Sequence, residues 1–131
     1  MKISILVPTR KRVQNVKRLI ESVYNTAQNI KNIELLFYVD DDDQDTIDFF
    51  KEEEEKKRFS HLIDTKVLIE PRQENFGETN NVLFRACSGD IVMLSADDVK
   101  FGTKNWDKTV TDEFEKYPDK LVLVFGYDGI Q

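Results

Sequence analysis

The hydrophobic residues of this sequence fall into two alternating patterns, which are short apolar runs and longer amphipathic stripes. Short apolar runs predict buried strands, whereas apolar residues at spacings of three and four predict helices. The predicted strands cover residues 3–7, 33–39, 66–69, 91–94 and 121–125. The predicted helices cover residues 13–27, 46–59, 78–87 and 106–117, with Gly89 and Pro118 expected to end the last two.

This alternation of strands and helices predicts a three-layer α/β/α domain with a mainly parallel sheet. Right-handed crossovers favour the strand order 3-2-1-4, in which the chain reverses direction beside the first strand. No repeat or linker divides the sequence, so we expect one domain over residues 1–131. Ligands of such sheets bind beyond the carboxyl ends of the strands at the reversal, so the residues that follow the first and fourth strands should form the site.

The composition narrows the classes of function. The 131 residues include 19 basic and 25 acidic side chains, which give a formal net charge of −6. Binding to duplex DNA or to an anionic membrane without specificity needs a positive field, so we expect neither. The single cysteine and single histidine exclude a disulfide framework and metal sites built from cysteines or a histidine pair. The chain has no apolar run of about 20 residues and no secretory pattern, so we expect a cytoplasmic protein without a membrane span.

Basic residues follow the first predicted strand. Thr9, Arg10 and Arg12 come directly after Pro8. Phosphate groups need positive charge and N–H donors, and arginine offers a planar fork of donors. The alternative is a solvated first helical turn, but basic residues oppose the helix dipole there. The pattern therefore favours an anionic partner.

Two adjacent carboxylates, Asp97 and Asp98, follow the fourth predicted strand. Adjacent carboxylates repel each other unless a cation neutralises them, and Mg²⁺ or Mn²⁺ binds one or two carboxylates together with substrate phosphates. The alternative is a turn and helix cap, where aspartate is also common. Their position at the expected ligand edge of the sheet favours the metal interpretation.

Asp40 ends the second predicted strand and begins an acidic run over residues 40–45. A carboxylate here could accept hydrogen bonds from a nucleobase or ribose, whereas the rest of the run is better explained as a solvated loop in which Asp45 caps the next helix. The run also matches acidic positions of an EF-hand. Thr46 occupies the position of the turn glycine, however, so we disfavour a calcium loop.

Amide side chains surround a predicted turn over residues 75–77. Asn75 and Gly77 lie in this turn, and Asn80 and Asn81 stand early in the next helix. They could bind a ligand or cap and satisfy the turn, and Arg72 could join either role. The side chains expected in the core are Phe49, Phe50, Phe84, Cys87, Trp106 and Phe114.

Four segments carry a family resemblance, and they occur in the same order as in that family. They are ISILVPTR at 3–10, IELLFYVDD at 33–41, NFG at 75–77 and SGDIVMLSADD at 88–98. Together they resemble the nucleotide-binding half of family 2 glycosyltransferases, which have the GT-A fold. The resemblance extends over about residues 3–125.

The resemblance implies a nucleotide-diphosphate sugar donor, often a UDP sugar, and a divalent cation, Mn²⁺ or Mg²⁺. By position it implies that Pro8, Thr9 and Arg10 line the nucleotide and that Asp40 faces the base. It gives Asp97 and Asp98 the role of the acidic D-x-D sequence, with the ribose and the metal–diphosphate as their ligands. The predicted nucleotide-binding residues are Pro8, Thr9, Arg10, Arg12, Asp40, Arg72, Asn75, Gly77, Asn81, Ser95 and Asp97, and the predicted metal ligands are Asp97 and Asp98.

The sequence departs from the family pattern at three places, and one of them is the acidic loop after the second strand, which lacks the small Gly-Ser pair that the family often has there. Ser95 stands where the D-x-D triplet usually begins with an acid, and the segment from Gly77 to Asn81 is about two residues short. Family members also continue into an acceptor-binding half that carries a general base, and we do not assign that role to Asp128. We therefore expect a donor-binding portion, apparently truncated, which a missing C-terminal segment or a partner completes. The acceptor, whether sugar, lipid or protein, is left open.

Three other functions fit parts of the pattern. A noncatalytic module for nucleotides or sugar nucleotides would need no acceptor half. A nucleotidyltransferase would normally have a glycine-rich basic loop after the first strand, and residues 8–12 contain no glycine. A phosphoacceptor receiver domain would need paired acids after the first strand, where Pro8, Thr9 and Arg10 stand.

Overall fold

A computed structural model describes residues 1–57, 62–117 and 119 of the chain. Its sheet has four parallel strands in the order β3-β2-β1-β4, which confirms the predicted parallel order. The strands are β1 (Ile3–Thr9), β2 (Ile33–Asp40), β3 (Asp64–Glu70) and β4 (Ile91–Leu94). The strand predicted over 121–125 lies outside the described residues, as does Asp128. Within the described part of the chain, no helix is both long and apolar enough to cross a membrane.

Within the described ranges, four helices connect and flank the strands, and their bounds differ from the predicted ones by a few residues. They are α1 (Val13–Thr26), α2 (Gln44–Lys56), α3 (Phe76–Ala86) and α4 (Trp106–Glu115), with a short 3-10 turn over Ile30–Asn32. The prediction that Asp45 caps α2 is wrong, because Asp43 accepts the hydrogen bond from the Thr46 N–H at 3.4 Å. Helix α3 begins at Phe76, since Asn75 caps it by accepting from the Glu78 N–H at 2.9 Å. Phe76 and Gly77 are therefore helical and do not form a turn.

The central strands β1 and β2 are buried on both faces, as continuous apolar runs require, whereas the edge strands β3 and β4 are only partly buried. One set of alternate residues, such as Ile5 and Phe37, packs against apolar residues of α1, α2 and α4. The other set, such as Leu6 and Tyr38, packs against Leu83 of α3. The three layers therefore place α3 alone among these helices on the second face of the described sheet.

Phe49, Phe50 and Trp106 are buried as predicted, but two expectations about α3 are wrong. Phe84 is 56% exposed, because α3 turns its neighbour Leu83 towards the sheet and one residue along a helix rotates by about 100°. Gly89 does not end the helix, since Cys87 already leaves it in an extended conformation. Gly89 instead lies against β1, where its N–H donates to Ser4 Oγ at 2.8 Å.

A buried carboxylate joins the amino ends of the strands, opposite the expected ligand edge. Glu34 is fully buried, and its oxygens accept from Ser4 Oγ at 2.6 Å and from the Ser88 N–H at 2.6 Å. The ammonium groups of Lys2 and Lys66 lie 3.4 and 3.3 Å from Oε2. Burial alone would raise the pKa of Glu34, but hydrogen bonds from Ser4, Ser88 and Lys66 outweigh it and lower the pKa to about 2. This carboxylate is therefore a charged structural link.

Candidate functional site

A cleft of about 890 Å³ lies at the carboxyl ends of β1, β2 and β4, beside the first turns of α3. This is the edge at which a parallel sheet with order 3-2-1-4 is expected to bind ligands. Gly77 and Asn81 are not among the residues that line it. The predicted site residues that do line the cleft are Pro8, Thr9, Arg10, Arg12, Asp40, Arg72, Asn75, Ser95, Asp97 and Asp98.

Several lining residues were missed in the sequence. Tyr38 lies two positions before Asp40, so the two-residue period of a strand puts both on one face. Phe76 and Thr79 share one side of α3 with Asn80, which the sequence had already offered as a candidate, at spacings of three and four. That helical spacing was the available signal, and it was obscured because Phe76 was assigned to a turn. The remaining missed lining residues are Lys11, Gln73, Glu74 and Ala96.

Asp97 is held by two side chains from the end of β1 and the loop after it. It is 6% exposed, and its Oδ2 accepts a hydrogen bond from Thr9 Oγ1 at 2.9 Å. The guanidinium of Arg12 lies 3.3 Å from Oδ1, and the Arg12 side chain is otherwise 60% exposed to the cleft and solvent. Both oxygens of Asp97 are therefore engaged within the protein, whereas Asp98 is exposed beside it.

Arg10 bridges the carboxylate of Asp40, the last residue of β2, and that of Asp42, which follows the strand. Its guanidinium donates to Asp40 Oδ2 at 2.8 Å and to both oxygens of Asp42, at 2.5 and 3.1 Å. These hydrogen bonds, to Asp42 first and then Asp40, raise the pKa of Arg10 above its usual value. The same contact lowers the pKa of Asp42. The loop after β1 and the loop after β2 are thus joined by a charge-assisted bridge at the rim of the cleft.

A second link between these loops involves the backbone. Asp43 is 1% exposed and accepts from the Lys11 N–H at 2.7 Å and from Thr46 Oγ1 at 2.7 Å. Lys11 itself adopts a left-handed conformation, with φ of 54°, which is uncommon for a residue other than glycine. Asp43 therefore holds a strained turn that directs the basic segment into the cleft. The prediction that Asp43 belongs to a solvated loop is therefore wrong, because its carboxylate is buried and engaged.

The charge of the cleft differs from that of the whole chain. Its lining contains four basic and four acidic residues, although the chain carries a net charge of −6. The basic residues are Arg10, Lys11, Arg12 and Arg72, and the acidic ones are Asp40, Glu74, Asp97 and Asp98. A polyanion bound together with a cation is compatible with this local balance.

The donor set restricts how a divalent cation could be held. Among the described residues, no three His, Cys, Asp or Glu side chains form a group that could bind a metal ion. Asp98 is exposed and available, whereas Asp97 is already engaged by Thr9 and Arg12. Mg²⁺ and Mn²⁺ accept one or two protein carboxylates when phosphates and water supply the remaining ligands. The residues present fit a metal of that kind, which would be bound jointly with a diphosphate.

A family profile shows to which protein family this chain belongs. The profile described as Glycosyl transferase family 2 matches residues 4–130. The chain belongs to glycosyl transferase family 2. Its α/β architecture is accordingly that of the GT-A fold, as the resemblance implied. A comparison with curated proteins gives no significant match.

Solved structures of S. aureus TarS share the fold of this family 2 domain. The crystal structure of TarS 1–349 superposes with a TM-score of 0.70 at 19% identity, covering 88% of this chain and 33% of that one. A complex of the same TarS fragment with UDP-GlcNAc gives a TM-score of 0.71 at 20% identity, with 88% and 32% covered. A complex with UDP gives 0.66 at 19% identity, with 88% and 33% covered. The family 2 domain thus spans about a third of the length of these TarS chains.

Proposed function

We propose that this family 2 domain is the donor-binding portion of a glycosyltransferase and that it binds a nucleoside-diphosphate sugar, namely a UDP sugar. The observation that carries the proposal is the convergence of Arg10, Arg12, Asp40, Asp97 and Asp98 on one cleft at the ligand edge of the sheet. These residues offer donors for phosphate and acceptors for ribose, base or a cation. The TarS complexes with UDP and UDP-GlcNAc support the choice of nucleotide.

The positions of these residues suggest separate tasks. Asp40, with Arg10 beside it, offers a carboxylate acceptor and guanidinium donors to the base or ribose. Asp97 is oriented by Thr9 and presents its carboxylate from a buried position. Arg12 pairs with Asp97 and is exposed enough to turn towards a diphosphate. In this assignment one wall of the cleft binds the nucleoside and the Arg12 region binds the diphosphate.

We further propose that Mn²⁺ or Mg²⁺ accompanies the donor, held by Asp98 with help from Asp97 and by the diphosphate oxygens. When bound, such a cation supplies Lewis-acid stabilisation of the leaving nucleoside diphosphate. Asp98, which follows β4, would be the main anchor of the diphosphate, while Asp97 would contribute both to the cation and to positioning the ribose. Sugar transfer also needs a base that deprotonates an acceptor hydroxyl, and none of the carboxylates of the cleft is assigned that role.

Calorimetric titration of UDP into the protein, with and without Mn²⁺, tests the proposal. We expect binding that strengthens with Mn²⁺ and an Asp98→Asn variant that loses the strengthening. Asp45→Asn is the matched control, because Asp45 is exposed in the first turn of α2 and does not line the cleft. Absence of UDP binding by the folded wild type would refute the donor-site assignment. UDP binding that is unaffected by Mn²⁺ and by Asp98→Asn would refute the metal alone.

A further inference from the structure

Asn80 lies on the side of α3 that faces the cleft, together with Phe76 and Thr79. The helix is fixed there by Leu83, which packs in one cluster with Leu6, Leu36 and Tyr38. It is also capped by Asn75, as described above. Packing and capping therefore fix the position of the helix that presents Asn80 to the cleft.

The carbonyl oxygen of the Asn80 side chain is buried and has no hydrogen-bond partner. Within the described ranges it is the only buried side-chain nitrogen or oxygen of this kind. Other buried polar groups nearby, such as Asp43 and Asp97, are engaged. An acceptor that loses water without gaining a donor destabilises the folded state, so a single exception beside a ligand cleft calls for an explanation.

Helix stability gives no reason for an asparagine at this position. Asparagine is a poor residue for a helix interior, because its side chain competes with the backbone for hydrogen bonds. Asn80 is the fifth residue of α3, beyond the Asn75 cap, so it does not cap the helix itself. Both the local propensity and the unpaired oxygen thus disfavour asparagine in the ligand-free protein. Residues that reduce the stability of the ligand-free protein in this way tend to occur at functional sites such as ligand-binding sites.

We propose that Asn80 recognises the nucleoside and that its Oδ1 accepts a hydrogen bond from a ribose hydroxyl or a base N–H. This assignment rests on the proposed function. The nucleoside is favoured over the diphosphate because an amide oxygen is a neutral acceptor and offers nothing to phosphate oxygens. It is favoured over the sugar because α3 packs over Tyr38, in the strand that ends at Asp40, the residue assigned to the nucleoside.

The test compares Asn80→Leu with Asn81→Leu. The two variants gain similar helix propensity, but Asn81 is exposed and does not line the cleft. We expect Asn80→Leu to weaken UDP binding in saturating Mn²⁺ by roughly tenfold, which corresponds to the net contribution of one neutral hydrogen bond. Asn81→Leu should bind UDP as the wild type does. Without ligand, Asn80→Leu should melt at a temperature at least as high as Asn81→Leu, because it removes the unpaired acceptor.

The two proposals fail in different ways. If the wild type does not bind UDP, the proposed function is refuted. If the wild type binds UDP and Asn80→Leu binds it equally well, the donor site stands and the assignment of Asn80 is overturned. A lower melting temperature for Asn80→Leu than for Asn81→Leu would also overturn it, since Asn80 would then be structural. Titration with 2′-deoxy-UDP identifies the donor, because a variant that loses affinity for UDP but not for the deoxy analogue has lost a contact to the 2′-hydroxyl.

Discussion

The hydroxyl of Thr9 donates a 2.9 Å hydrogen bond to Oδ2 of Asp97, across a separation of 88 positions in the sequence. Thr9 is the last residue of β1, and Asp97 follows β4, which pairs with β1 in parallel. Both residues are nearly fully buried. This bond fixes the direction of a carboxylate that lines the candidate donor site.

Thr9→Val should weaken UDP binding in the presence of Mn²⁺ by roughly three- to tenfold, because Asp97 would lose its positioning donor while the shape of the side chain is kept. The unfolding free energy should fall by about 1–3 kcal/mol, since a buried acceptor is left with one fewer partner. Calorimetry and urea unfolding measure the two effects. Thr111→Val, on α4 away from the cleft, is the control. Unchanged affinity in Thr9→Val would show that Asp97 is oriented by other contacts.

Arg12→Gln should affect metal and nucleotide in opposite directions. The Arg12 guanidinium pairs with Asp97 at 3.3 Å and therefore competes with a metal cation for this carboxylate. Its removal should strengthen binding of Mn²⁺ alone by roughly threefold and weaken binding of UDP with Mn²⁺ by a similar factor, because a donor to the diphosphate is lost. Titrations with Mn²⁺ and with UDP measure the two affinities. Arg18→Gln, on the exposed side of α1, should change neither. Equal changes of the same sign would contradict the two roles given to Arg12.

The lowered pKa of Glu34 predicts how the free energy of unfolding depends on pH. Its pKa is about 2 in the folded protein, against an ordinary value of 4.5. A lowered folded-state pKa means that the stabilisation is fully present above pH 4.5 and is lost as the pH falls from 4.5 towards 2. The contribution is on the order of 3 kcal/mol.

Urea unfolding at pH 7, 5 and 3 measures this effect. We expect Glu34→Gln to be less stable than the wild type at pH 7 and to lose less stability than the wild type between pH 5 and 3. Glu21→Gln, at an exposed position of α1, should follow the wild-type profile. Parallel profiles for wild type and Glu34→Gln would show that Glu34 does not carry the acid dependence.

Gly89→Ala should destabilise the fold by about 1–3 kcal/mol, as overpacking of a close contact does. A Cβ at this position would lie 2.8 Å from the Ser4 backbone nitrogen and 2.9 Å from the Lys2 carbonyl oxygen, and neither can move aside cheaply. Gly102→Ala is the control, because nothing lies within 4 Å of its added Cβ. Thermal and urea unfolding compare the two variants. If both variants retain wild-type stability, the backbone around Ser4 can shift to accept the added Cβ, and the close contact is not stability-limiting.

The sequence was sufficient to predict the sheet and the edge at which the candidate site lies. The apolar run ending at Val7 and the helical stripe from Val16 to Val23 were unambiguous. A strand buried on both faces is apolar at every position, and a helix buried on one face is apolar at spacings of three and four. Arg12, Asp40 and Asp97 were found because each lies at the end of a strand or shortly after it, and parallel strands bring their carboxyl ends together. The first residues of α2 and α3 were missed by two positions because capping depends on which side chain reaches a backbone N–H, here Asp43 and Asn75.

The sequence by itself determined the order of elements, the parallel topology, the family and the set of charged residues at one sheet edge. Only the tertiary structure decided that Asp97 is engaged by Thr9 and Arg12 while Asp98 is exposed, and that Asn80 rather than Asn81 lines the cleft. It also revealed Glu34 as a buried charged link. Periodicity and local propensity are properties of neighbouring residues and can be read in order. The partner of a polar atom is set by packing between segments distant in sequence, which residue order does not encode locally.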